Sequence, residues 1–127
     1  MSYTIKNLRE VEDAAVQGGF SETQEAHFAR GALNAEDTGV AYMVVKPGKR
    51  QAFGHRHENA EEIYVVLSGS GRMKLEEEIL PVGPMDAIRV APQVARSFEA
   101  GPEGLEFLVF GPHHAGDGEI LMGFWAD

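Results

Sequence analysis

No cysteine occurs in the 127 residues. A thiolate nucleophile, a disulfide framework and a cysteine-built zinc site are therefore excluded. Basic residues are scarce as well: 11 Lys and Arg stand against 20 Asp and Glu, for a formal net charge of -9. A general nucleic-acid binder needs a basic face for phosphates. Here basic residues gather only in Lys46-Pro47-Gly48-Lys49-Arg50, which reads as a solvated turn. Long apolar runs are missing too. Ile63–Leu67 is typical, far below the ~20 residues of a membrane span. The N-terminal stretch "MSYTIKNLREVEDAA" is charged and lacks a signal-peptide core, so a cytoplasmic protein is expected, with neither nucleic acid nor membrane as partner.

What is present suits one globular domain. The chain is 43% hydrophobic and 24% charged, enough apolar material for a single core. From Gly39 onward, short strand-like runs alternate with Gly and Pro turn signals at roughly ten-residue spacing. Strands are predicted to stop at Pro47-Gly48, Glu58-Asn59, Gly69-Ser70-Gly71, Pro92, the "GPEG" of residues 101–104 and Pro112. Without strand–helix alternation, the expectation is an all-β sandwich or barrel. The first third differs. Residues 7–19 carry a weak helical pattern closed by Gly18-Gly19, 25–30 suit a strand, and 31–39 suit a loop or single helical turn. Residues 1–39 are thus expected as an extension packing on a barrel of residues 40–111, within one domain. The tail, 112–127, carries Ile120, Leu121, Met122, Phe124 and Trp125. Its expected place is the domain's own outer face or a dimer interface.

The chemistry concentrates in "GHRHENAEEIYVVLSGSG", residues 54–71. Side chains alternate along a strand, so His55 and His57 share a face and Arg56 takes the other. Two imidazoles on one face can converge on one ion, and a carboxylate from the next strand can complete a two-His-one-carboxylate set. Such a set suits Fe, Mn, Ni or Zn with positions left open for substrate. The competing reading is a pair of polar strand residues at a barrel mouth.

"PGKRQAFGHRHENAEEIYVVLSGSG" resembles the first motif of the cupins: His-x-His, three or four residues, Glu, six residues, Gly. That register gives the carboxylate role to Glu62 and closes on Gly69. Strand alternation agrees, placing Glu62 inward with Tyr64 and Val66, and Glu61 outward. "GPMDAIRVAPQVARSFEAGPEGLEFLVFG" resembles the second motif and its following strand. The resemblance implies a double-stranded β-helix barrel, a jelly-roll relative, with a short N-terminal extension. It also implies a homodimer as the default assembly.

The second motif departs from the family pattern. Aligned on Pro92, Gln93 replaces a Gly, Ala100 replaces an Asn, and Arg96 stands where the fourth metal ligand, a His, is usual. A guanidinium has no lone pair to give a cation. Three outcomes follow. Arg96 turns toward a substrate and grips its anionic group beside a metal held by His55, His57 and Glu62. Alternatively no metal binds and Arg96 pairs with Glu62, or Arg96 points outward. His27, His113 and His114 read as surface or loop histidines, not replacement ligands. Tyr42, Phe53, Tyr64 and Phe98 are expected to line the pocket, among residues otherwise forming barrel core. The leading functional expectation is a metal-dependent cupin, dioxygenase- or isomerase-like, on a small anionic metabolite. The alternative is a metal-free ligand binder built on an Arg96–Glu62 pair. The third is a dimeric scaffold.

Overall fold

A computed structural model describes residues 2–125; the last two residues of the expected tail lie outside the described residues. Eight strands form one curled antiparallel sheet: β1 (Gln24–Phe28), β2 (Thr38–Val45), β3 (Gly54–His57), β4 (Glu62–Leu75), β5 (Glu78–Val82), β6 (Ala87–Val90), β7 (Arg96–Pro112) and β8 (Gly118–Leu121). The path runs β1-β2-β7-β3-β8, and β4 joins it through β7 while also pairing with β5 and β6. This is the expected all-β architecture.

Two expected stops do not interrupt the chain. β4 continues through Gly69-Ser70-Gly71, and β7 continues through the "GPEG" segment. Both strands bend instead. Register shifts fall between Val66 and Ser68 on β4, and between Gly69 and Gly71, which pair with Leu105 and Ala100 on β7. Gly69 and Gly104 both adopt φ of 83°, the left-handed region open mainly to glycine. A Cβ on Gly69 would overlap the Gly104 carbonyl oxygen. The glycines that read as turn signals are the corners of long strands.

The N-terminal segment is ordered by capping. A 3₁₀ turn spans Leu8–Glu10, and α1 (Ala14–Gly18) begins under the Asp13 side chain and ends at Gly19 with φ of 81°. A second short helix, α2 (Arg30–Leu33), closes on Asn34 in the left-handed region. β8 was not foreseen; it pairs with β3, setting Gly118 opposite His57. The core includes Val45, Val66, Met73, Phe98, Leu105 and Phe107, with Tyr64 against both phenylalanines.

The apolar tail lies on its own barrel. Trp125 is buried and donates from its indole Nε1 to Ser97 Oγ at 2.9 Å, while Arg50 covers its ring at 4.8 Å. Lys74 donates to the Phe124 carbonyl oxygen and sits 4.6 Å from the Phe124 ring centre.

Candidate metal centre

Three adjacent strands supply the site. Alternation along β3 turns His55 and His57 to the interior, β4 opens with Glu62, and β7 opens with Arg96 directly opposite His55. The two imidazole rings are 5.1 Å apart and nearly perpendicular, at 87°. His55 Nε2 lies 3.3 Å from Glu62 Oε1, and His57 Nε2 lies 3.5 Å from Glu62 Oε2. His55, His57 and Glu62 form a group that could hold a metal ion. Two bonds of about 2.1 Å meeting at a tetrahedral angle separate their donor atoms by about 3.4 Å. The spacing and the donor set both fit a borderline divalent cation.

The Glu62 oxygens have different partners. Oε1 accepts from Tyr64 Oη at 2.7 Å and Arg96 Nη2 at 2.9 Å, besides facing His55. Oε2 faces His57, both of whose ring nitrogens are buried without a well-aligned hydrogen bond. Burial alone would raise the Glu62 pKa. Hydrogen bonding to His55, His57 and Tyr64, with the charge of His55, outweighs it and holds the carboxyl far below the usual carboxylate range.

Arg96 is wholly buried, 0% exposed, and points inward. Its Nε donates to Tyr64 Oη at 3.1 Å, Nη1 to the carbonyls of Pro92 at 3.0 Å and Val94 at 2.6 Å, and Nη2 to Glu62. The expected outward orientation is thus excluded. Four of its five N–H groups serve the protein, so Arg96, which borders the cavity, keeps at most one N–H, on Nη2, for a ligand. The Arg96–Glu62 pair forms, yet through the oxygen turned away from His57.

Of the expected lining, Phe53, Tyr64 and Phe98 border a cavity of about 690 Å³ that also contains His55, His57, Glu62 and Arg96. Tyr42, expected among them, does not. Ala41 and Met43 take the inward phase of β2, and Tyr42 points outward beneath Arg9, stacked on His27 and hydrogen-bonded to Glu106. Burial, then the Glu106 contact, pushes its hydroxyl pKa up to about 12.

Sequence reasoning missed Asp117. Its Oδ2 lies 3.2 Å from His57 Nδ1. Burial works against its ionised form, but the amides of Ala60 and Asn59 and the Asn59 side chain hold its pKa below the ordinary value. The carboxylate charge beside Nδ1 favours the tautomer that leaves Nε2 as the ligating nitrogen. The signal was faint: one Asp in the glycine-rich loop "HHAGDGE". A second group, Asp13, Glu25 and His27, also clusters. There His27 is fully engaged by Val11 and Glu25, and Asp13 caps α1 and accepts from Ala26 N, so the cluster holds the extension to the barrel.

The family described as the cupin domain matches residues 41–111. No curated protein matches. Among solved structures, a cupin protein of Bacteroides fragilis aligns at 20% identity over 91% of this chain and 88% of its own, with a TM-score of 0.71. The polyketide cyclase RemF of Streptomyces resistomycificus aligns at 20% identity over 94% and 84%, with a TM-score of 0.75. A predicted oxalate decarboxylase of Thermotoga maritima aligns at 26% identity over 72% and 81%, with a TM-score of 0.61.

Proposed function

The chain belongs to the cupin domain family, and on that premise we propose that it holds one divalent transition metal through His55, His57 and Glu62 and acts on a small molecule in the barrel cavity. One observation carries the reading: buried His57 Nε2, without a well-aligned hydrogen bond, faces the Glu62 oxygen that Arg96 leaves free. Fe, Mn, Ni and Zn all suit these donors. Such an ion supplies Lewis acidity, or redox chemistry if it is iron.

The chain's own residues do the rest. Arg96 donates to Glu62 Oε1 and orients it, placing a positive charge beside a carboxylate that burial disfavours. Tyr64 donates to Glu62 and accepts from Arg96, and burial raises its pKa first among the causes, so it keeps its proton and acts as a spacer. Asp117 orients His57. The fold supports neither a dioxygenase-like nor an isomerase-like reaction over the other, and the neighbours' names range from cyclase to decarboxylase. Homodimer formation belongs to the same proposal, since Ile63 and Phe110, paired across β4 and β7, and Leu67 leave apolar surface exposed on the outer face.

The second reading is a metal-free binder, favoured by the formed Arg96–Glu62 pair. Metal content by inductively coupled plasma mass spectrometry separates the two. The expected result is about one ion per chain in the wild type, none in His57→Ala, and affinity lower by about 10–100-fold in Asp117→Asn. A wild type that stays empty when offered each metal, while Arg96→His takes one up, would sink the metal reading and leave the binder.

A further inference from the structure

The cavity reaches beyond the family-matched segment. The N-terminal extension walls part of it with Ala14, Phe20, Ala26, Phe28 and Arg30. Phe53, Val109 and Ile120 continue this apolar lining, and Phe20 meets Phe53 edge to face at 5.1 Å. A volume of about 690 Å³ falls in the range of sites that enclose a whole small organic molecule.

The charges of the lining cancel except at one place. Arg96 pairs with Glu62, and Glu119 is held by Arg56 through two hydrogen bonds of 3.0 and 3.3 Å. Arg30 is left over. Its Nη2 donates to the Glu36 carbonyl oxygen at 3.2 Å, its Nε is buried with no acceptor, and no carboxylate pairs with it among the described residues. In a chain with 20 acidic residues, an arginine on a cavity wall without an acid is suited to an anion supplied by a ligand. The guanidinium fork matches a carboxylate. The other end of the cavity is less hospitable, because ionised Glu62 stands there and four of the five Arg96 N–H groups already serve the protein.

We propose that the cavity takes an amphiphilic carboxylic acid, its carboxylate on Arg30 and its apolar body among Phe20, Phe28, Phe53 and Val109. This deepens the ligand-site reading of the cavity, on which it rests, and names the substrate class. It assigns the anionic end to the N-terminal extension, not to Arg96.

Isothermal titration calorimetry on the full chain tests it, with octanoate, 2-naphthoate, octan-1-ol and acetate as probes. Octanoate or 2-naphthoate is expected to bind, and acetate, which has no apolar body, is not. The tighter of the two tells an aliphatic from an aromatic body, and either supports the proposal. Arg30→Gln is expected to weaken the bound carboxylate by about tenfold or more, with octan-1-ol unaffected. Arg30→Lys is expected to restore part of the loss. The titrations are run on wild-type protein stripped of metal and on protein offered zinc. Arg30-dependent binding in the stripped protein supports the proposal, and a metal site that stays empty ends the metal reading alone. The proposal is overturned if Arg30→Gln binds like the wild type, or if neither acid binds better than acetate.

Discussion

His27 shows how one side chain fastens an extension to a barrel. Its Nδ1 lies 2.6 Å from the Val11 carbonyl oxygen and its Nε2 2.9 Å from Glu25 Oε1. Both neighbours are acceptors, so the arrangement calls for a proton on each nitrogen. Burial lowers the pKa, but the Glu25 and Val11 hydrogen bonds, with the charges of Asp13 and Glu25, outweigh it and raise the value. Tyr42 stacks on the ring, and Arg9 lies beyond Tyr42, 5.2 Å from its ring centre. A raised folded-state pKa stabilises fully below the unfolded value near 6.5 and is lost as pH rises through the folded one. The melting-temperature advantage of the wild type over His27→Gln is therefore expected to shrink as pH rises from about 6 to about 9. A constant or growing gap would show that His27 is held neutral.

At the scale of the element, the corners of β4 and β7 carry the strongest prediction. Gly69→Ala combines left-handed strain with overlap on the Gly104 carbonyl. It is expected to cost about 2 kcal/mol or more, a fall in melting temperature of roughly 5–10 °C. Gly48→Ala has a φ of 69° but open space around its Cβ, and should cost about 1 kcal/mol. Equal effects would mean that the close approach of the two strands contributes nothing.

These glycines also mark how far the sequence could be read. Their presence was visible, but whether they end a strand or bend it depends on Leu105 and Glu106 across the sheet. His55, His57 and Glu62 were legible because strand alternation and motif register are local properties. The position of Arg96 was legible and its orientation was not, since that comes from the Pro92 and Val94 carbonyls and the Tyr64 hydroxyl after folding. Tyr42 was assigned the wrong phase because β2 is covered on its outer side as well: the extension buries that face, so alternation in polarity fades. Asp117 lies in a polar, glycine-rich loop and Arg30 at the end of a short strand-like run, and nothing local marks either as a site residue.

For the whole molecule, tail and outer face should be separable. Trp125→Ala removes a buried indole and its bond to Ser97. It should lower stability by about 3–5 kcal/mol and leave the proposed dimer intact. Phe110→Asp places a charge on the exposed face of β7 and should dissociate that dimer in sedimentation velocity while the fold survives. A wild type that sediments as a monomer would remove the dimer from the proposal.

The contact between His57 and Asp117 bears on how the protein is made. During synthesis His55, His57 and Glu62 leave the ribosome before Arg96, which follows Glu62 by 34 residues. Asp117 comes later still, and β8 only after it. Until then no carboxylate faces His57 Nδ1 and nothing pairs with β3 along its β8 side. A nascent chain therefore carries the first-motif histidines and glutamate well before it carries the centre they form. The carboxylate that faces His57 and the strand that pairs with β3 therefore join the site only after its ligand candidates have all been made.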